Sequence, residues 1–303
     1  MKFLVTGGRG FIGSHFVELV LSHGHSVVDI DKMTYASAKI LPWDSDENYE
    51  LIEDDISTLK HLPPADIVVN FAAESHVDNS IESPKVFFES NTRGVFNLLE
   101  LIRGKVYNKP LFVHISTDEV YGDIRHADFT EEDKVLPSNP YSASKAAAEM
   151  FVFSCHKTFG VDYLITRSSN NYGPRQYPEK LIPCILESLD NNTKIPLHGD
   201  GSYIRDWIYV KDNVRAIYHL IVGGYKNEIF NIAANNHMSN LEVVKNICQW
   251  YGIDDHLSCV NFVENRMGQD VRYSINADKL KDSGYEIKYR DGIYKFIGEV
   301  PPR

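Results

Sequence analysis

Cysteine is scarce: Cys155, Cys184, Cys248 and Cys259 are the four in 303 residues, and they lie far apart along the chain. That excludes the close spacings of a structural zinc site or a disulfide framework, and buried or incidental thiols in a reducing cytoplasm are the expectation. Long apolar runs are also missing. No stretch approaches the roughly 18 to 20 residues that cross a bilayer, and the opening MKFLVTGG is too short for the apolar part of a secretory signal. Basic residues are in deficit: 31 Lys and Arg against 42 Asp and Glu give a formal charge of −11. A broad nucleic-acid or anionic-membrane surface is therefore not expected, although a local anion pocket remains open. There are no repeats or low-complexity tracts. What remains is 43% hydrophobic and 24% charged, a globular composition with ample material for one large domain or two interlocked ones.

Short β-branched runs alternate with longer helical patterns. KFLVT, SVVDI, YELIE, ADIVVNF, PLFVHIS and DYLIT read as strands of a buried parallel sheet, being continuously apolar and bounded by turn residues. Between several of them lie FIGSHFVELVLSHG, PKVFFESNTRGVFNLLELIRG and NPYSASKAAAEMFVFSCHKTFG, which read as helices. This order predicts an α/β, doubly wound parallel sheet. After residue 170 proline-bearing loops interrupt the pattern before the helical SNLEVVKNICQWYG. The expected division is residues 1–170 as a cofactor-binding half, with a returning segment near 205–222, and 171–303 mainly as a smaller C-terminal substrate-binding lobe.

Three motifs carry chemistry. In GGRGFIG, Gly7, Gly10 and Gly13 follow the first strand, where they permit a tight turn and let backbone amides approach a pyrophosphate. Asp31 closes the second strand about twenty residues on, placed to bind ribose hydroxyls and repel a 2′-phosphate. This favours NAD over NADP, with Lys32 beside it weighing the other way. In YSASK, Tyr141 and Lys145 lie one helical turn apart, so the lysine could hold a phenolate near neutral pH. Tyr35 and Lys39 in YASAK match the spacing equally, but fall in the loop after the second strand. SNPYSASK instead looks like a helix start, with Asn139 as cap and Pro140 in the first turn. In STDEVYGD, Asp118 and Glu119 fall where a strand ends. They are either solvated strand-end acids or an acid and base pair.

Taken together, the glycine-rich start, NFAAESHVDNS, STDEVYGD, YSASK, RSSNNYGPRQYPEKLIP, IRDWIYVKDN and MGQDVRYSI resemble an extended short-chain dehydrogenase/reductase of the nucleotide-sugar 4,6-dehydratase kind, dTDP-glucose 4,6-dehydratase type. The likeness runs over nearly the whole chain. It implies a Rossmann fold, a homodimer and a closed redox cycle. Tyr141 takes the 4-hydroxyl proton of the glucose while NAD accepts the C4 hydride. Glu119 then removes the C5 proton, Asp118 protonates the departing C6 hydroxyl, and the hydride returns to C6. Thr117 would hydrogen-bond the 4-oxygen.

The resemblance also implies the remaining site residues. Beside the glycines, Phe11, Ile12, Asp31, Lys32 and Thr34 would meet the cofactor, as would Asp55 and Ile56 near the adenine. Ala72, Ala73 and Ser75 would border the cofactor or sugar, and Asn171, with Tyr141 and Lys145, the nicotinamide. Ser75, Thr117, Asn170, Lys180 and Leu181 would contact the nucleotide sugar, with Pro196, His198, Arg205, Asn236 and Arg266 holding its diphosphate and base. No metal is implied. His198 stands where the family usually has a base-stacking tyrosine, and Gln269 replaces a frequent histidine. Both bear on the base, leaving dTDP-glucose and UDP-glucose open as substrates. A 4-epimerase of the same family is the competing enzyme, and a non-catalytic NAD or sugar-nucleotide binder the competitor of another class. Dimerisation is expected through helices near 84–103 and 140–158, whose apolar residues include Phe96, Leu99, Phe151 and Val152.

Overall fold

The computed structural model describes residues 1–105, 109–265, 268, 270–289, 293 and 296. Strands β1 (Lys2–Thr6), β2 (Ser26–Asp31), β3 (Tyr49–Glu53), β4 (Ile67–Asn70), β5 (Leu111–Thr117) and β6 (Tyr163–Ser168) form at the six apolar runs. Helices α1 (Phe11–Ser22), α2 (Val77–Glu82), α3 (Pro84–Phe87), α4 (Gly94–Arg103) and α5 (Pro140–Phe159) lie between them. Downstream follow β7 (Asn170–Tyr172), α6 (Leu181–Asp190), β8 (Ile195–His198), β9 (Ile204–Tyr209), α7 (Val210–Val222), β10 (Glu228–Ile232), β11 (His237–Ser239), α8 (Asn240–Trp250), β12 (Val260–Val263) and α9 (Asp278–Asp282).

The main sheet has 7 strands in the order β10-β6-β5-β4-β1-β2-β3. Its ladders are parallel, with Leu4 opposite Val28 on one side and Val68 on the other. Chain direction across the sheet reverses between β1 and β4, which opens a crevice at their carboxyl ends where ligands bind in such folds. Strand residues alternate between two apolar layers. Phe3, Val5 and Val69 pack with Phe16 and Val17 of α1 and Ile217 and Leu220 of α7. Leu4, Ile30 and Phe112 pack on the other face with Leu98 and Ile102 of α4 and Val152 of α5. A separate core of Ile182, Ile185, Leu197, Trp207, Val243 and Ile247 holds the C-terminal segments together.

Four details differ from the sequence reading. Strand β3 is not buried: it ends the sheet and leaves Glu50 and Leu51 exposed. The expected helix over 84–104 is broken into α3, a π-helical turn over Phe88–Arg93, and α4. In that turn Asn91 is buried. It accepts from the Glu74 amide at 2.8 Å and donates to the Glu74 carbonyl and Ser144 Oγ, each at 2.9 Å. The third difference lies in the chain's return to the sheet, which extends past 205–222 to β10, paired in parallel with β6. Finally, Leu99 and Val152 belong to the core and are not free to face a partner, whereas Phe96 and Phe151 are 44% and 41% exposed with rings 5.3 Å apart. The fold also brings Cys259 beside the sequence-distant Cys248, whose thiol is pushed up to about 12 by burial and then by that neighbour.

Candidate active site

The glycine turn between β1 and α1 forms the floor of the crevice. Gly7 has φ +71°, and a Cβ there would come within 2.7 Å of the Ala72 backbone, so neither the conformation nor the space admits a side chain. Helix α1 starts at Gly10 with no side-chain cap, which leaves its first amides free to meet an anion. Behind the turn, the buried Asp29 accepts from the Gly8 amide and the Tyr49 hydroxyl, both at 2.9 Å. Burial pushes this carboxyl up to about 7. Asp31 holds the loop after β2: its oxygens accept from the Arg9 amide at 3.0 Å, the Met33 amide at 2.8 Å and Ser37 Oγ at 2.9 Å.

Above this floor lies a cavity of about 1320 Å³, counted out to its open mouth. Its lining runs from the glycine turn past Asp31 to Tyr141 and Lys145, the groups an extended dinucleotide would have to reach. Its walls take in Gly7, Gly10, Phe11, Ile12, Gly13, Asp31, Lys32 and Thr34 from the first two crossovers. Asp55, Ile56, Ala72, Ala73 and Ser75 line it from the loops after β3 and β4, with Tyr141, Lys145 and Lys180 opposite. The uncapped helix start, the glycine that cannot take a Cβ and the acid at the end of β2 all fit NAD. The sequence reading did not assign Ser37, Glu74, Ser90, Ser116, Gln176, Tyr177 or Glu179 to this wall. The last three lie in the quoted YGPRQYPEK run, so the signal was present without an assigned role. Lys180 crosses the cavity to donate to the Ser75 carbonyl at 2.9 Å.

Just past Ser116, which lines the cavity, β5 runs straight into a 3-10 turn over Asp118–Tyr121, so the two acids are fixed by regular structure. The Thr117 hydroxyl caps the turn, accepting from the Glu119 amide and donating to Asp118 Oδ1, both at 3.3 Å. Asp118 is 3% exposed, and its Oδ2 has no partner among the described residues. Burial first, then the charge of Glu119, pushes its carboxyl well above the usual range, with Arg205 opposing. Glu119 is also raised by burial, but Arg205, Asn139 and Lys180 pull it back. Its Oε2 accepts from Asn139 Nδ2 at 3.4 Å and Tyr273 Oη at 3.3 Å. The two neighbouring carboxyls therefore sit in unlike surroundings.

Helix α5 brings the third group. Asn139 caps it through a reciprocal box, accepting from the Ser142 amide at 2.9 Å while its own amide donates to Ser142 Oγ at 3.2 Å; Pro140 occupies the first turn. Asn139 thus starts the helix that carries Tyr141 and also touches Glu119. The Tyr141 phenol is held above its ordinary value by burial, then by the charges of Glu119 and Asp118, with a Thr117 hydrogen bond opposing. Lys145 donates to the Ile115 carbonyl at 2.5 Å, and burial lowers its ammonium to about 8.

The expected substrate-binding residues are less gathered. Asn171 is locked by neighbours, donating to the Ser169 carbonyl at 2.9 Å and accepting from Asn213 Nδ2 at 2.8 Å, while Asn170 pairs opposite Trp207 in β7. Arg205 stacks 4.2 Å over Tyr273 and donates to the carbonyls of Ile204, Val271 and Asp270; its charge acts on the acid pair. Leu181 begins α6 and packs on the C-terminal core. Pro196 is exposed in β8, His198 lies 2.9 Å from the Glu264 carbonyl, and the Asn236 amide is held by Asp206. These three, like Thr117, Asp118, Glu119, Asn170, Asn171, Leu181 and Arg205, are not among the residues that line the main cavity. Arg266 and Gln269 lie outside the described residues. Tyr273 and Asp270, joined at 2.7 Å beside Glu119, had no expected role, although both lie in the quoted MGQDVRYSI run.

Comparison with known proteins agrees with this architecture. Residues 4–290 match the family model described as GDP-mannose 4,6 dehydratase. The low-salt glycan biosynthesis protein Agl12 of Haloferax volcanii is 42% identical over 97% of this chain and 96% of its own. The dTDP-glucose 4,6-dehydratase of Escherichia coli is 38% identical over 98% of this chain and 92% of its own. Among solved structures, DesIV, a dTDP-glucose 4,6-dehydratase from Streptomyces venezuelae with NAD and TYD bound, superposes with a TM-score of 0.92 at 37% identity, covering 98% of this chain and 96% of that one. The chain thus belongs to the nucleotide-sugar 4,6-dehydratases of the extended short-chain dehydrogenase/reductase family, dTDP-glucose type.

Proposed function

We propose that the chain is an NAD-dependent hydro-lyase that converts dTDP-glucose or UDP-glucose to the 4-keto-6-deoxyglucose nucleotide. The observation that carries this is the unequally placed pair of carboxyls, buried Asp118 and half-buried Glu119, near enough to Tyr141 for both charges to act on its phenol. NAD, when bound along the glycine turn and Asp31, supplies reversible two-electron oxidation at sugar C4 and the matching reduction at C6.

The chain's own groups handle the protons. Tyr141 takes the proton of the 4-hydroxyl, and Thr117 hydrogen-bonds the same oxygen. An ionised phenol beside two carboxyls needs cationic help, and Lys145 on the same helix face is the protein group available for it. Oxidation at C4 makes the C5 hydrogen acidic. Glu119 removes it, since Arg205, Lys180 and Asn139 favour its ionised form, and gives it back to C5 when C6 is reduced. Asp118, held protonated, gives its proton to the departing C6 hydroxyl. Two carboxyls with separated proton affinities are what elimination of water requires at one pH.

We further assign residues 1–170, with the returning segment near 205–222, to cofactor binding, and 171–303 mainly to the nucleotide sugar. We place the protein in the cytoplasm as a homodimer, a reading supported by the exposed Val86, Phe88, Phe96, Met150 and Phe151. Product mass after incubation with dTDP-glucose and with UDP-glucose is the test. Dehydration removes one water, whereas a 4-epimerase returns the substrate's mass, and that result would overturn the reading. The two bases differ by a methyl group, so both should turn over within roughly 10- to 200-fold of each other.

A further inference from the structure

Glu149 lies on the face of α5 that carries Tyr141 and Lys145, each one turn from the next, yet the chemistry above gives it no part. It is fully buried, a position a carboxylate tolerates only when paired. Its partner is Arg167 of β6, which grips both oxygens: Nε to Oε1 at 3.1 Å and Nη2 to Oε2 at 2.6 Å. Arg167 sits opposite Ser116 in the β5–β6 ladder, just ahead of the acid pair. Its guanidinium carbon lies 4.5 Å from the ring centre of Tyr121, the last residue of the turn that begins with Asp118. Tyr121 is held further by its hydroxyl, which donates to Asn231 Oδ1 at 2.9 Å, and by Phe129, stacked at 4.9 Å.

Glu149 lies one helical turn beyond Lys145, and its charge opposes the burial that disfavours the ammonium. Tyr141 and Glu149 lie one turn to either side of that lysine on its own helix, and His114 of β5 feels its charge. His114 is fully buried, and burial and the lysine's charge both disfavour its protonated form. Glu149 is thus the anion that favours a charged Lys145 against the cost of burial. We infer that Glu149 is a positioning residue: through Arg167 and Tyr121 it fixes the acid-bearing turn relative to Tyr141, and one turn along α5 it supplies a counter-charge to Lys145. This rests on the dehydratase reading for the meaning of the groups it joins.

The test is Glu149→Gln in the cofactor-loaded enzyme, read by the pH profile of kcat and by NMR titration of the Lys145 side chain. Without the anion the lysine releases its proton earlier, so both the alkaline limb and the titration should move to lower pH by roughly one unit. Displacement of the turn should lower kcat on the order of 10- to 100-fold with KM little changed. The substitution leaves Arg167 buried without its partner, so the paired variant Glu149→Leu with Arg167→Met serves if the single one fails to fold. Apolar replacement of a buried pair commonly preserves stability, and the same shift is expected. A purely structural ion pair would change melting temperature alone. An unmoved lysine titration in the folded variant overturns the inference. A wild-type enzyme unable to dehydrate would sink the dehydratase reading, while the lysine titration would still decide this one.

Discussion

Asp118→Asn separates the two halves of the proposed reaction. The amide matches the protonated carboxyl in shape and still donates a hydrogen bond, but it has no proton to transfer to the sugar's C6 oxygen. Loss of a positioned general acid costs about 10²- to 10⁴-fold in rate, or about 2.7–5.4 kcal/mol of barrier. Turnover, followed by loss of water from the product, should fall by that factor. Exchange of the C5 hydrogen with solvent deuterium should persist, because Tyr141 and Glu119 remain in place. The same variant tests the protonation state independently. Burial and Glu119 hold the Asp118 carboxyl well above its ordinary value, so the folded chain keeps a proton there that the unfolded chain releases above about pH 4. A group whose proton is bound more tightly in the folded state lowers stability as pH rises from the unfolded pKa towards the folded one. The amide does not titrate. The melting temperature of the variant relative to wild type should therefore improve steadily from pH 4 upward. Near wild-type turnover would end the elimination mechanism. A pH-independent difference in melting temperature would refute the protonated assignment.

Tyr141→Phe, in contrast, should suppress deuterium exchange and turnover together, on the order of 10²- to 10⁴-fold, as measured by mass spectrometry of the sugar. Gly7→Ala forces a side chain into φ +71° against the Ala72 backbone 2.7 Å away, a conformation that costs about 1–2 kcal/mol before any clash. Wild type should release NAD when denatured after purification, and this variant should release far less. Phe151→Glu puts a charge into the exposed apolar residues of α4 and α5 and should turn the proposed homodimer into a monomer in sedimentation, whereas an unchanged mass would refute that interface.

Most of the first six strands were legible because they are apolar runs bounded by turn residues, the pattern of a sheet covered on both faces, whereas β3, YELIE, was recognised as a strand but lies exposed at the sheet's edge. Strand β10, EIFNI, is just as short but follows a stretch without clear alternation of strand and helix, so only its parallel pairing with β6 identifies it. The π-helical turn could not be read from FESNTR, since its meaning lies in where it sends Asn91. The cavity wall was readable because its residues follow strand ends in order, and the topology delivers strand ends to one crevice. The surroundings of Glu119 were not: Asn139, Arg205 and Tyr273 reach it from three distant segments, and their effect is one of distance and burial. Likewise the core positions of Leu99 and Val152 depend on how α4 and α5 rotate against the sheet, which an excess of apolar residues on both helices leaves undecided.

The pairing of β10 with β6 has a consequence for how the chain is made. Synthesis runs from the N-terminus, so β6 emerges from the ribosome with one edge lacking its neighbour and keeps that exposed row of amides and carbonyls until residue 232 has been added. The nascent N-terminal half is therefore an unfinished sheet, open to pairing with another chain during that interval. A fragment ending at residue 170 would retain this open edge permanently, and should be recovered as aggregate where the full chain is recovered in solution.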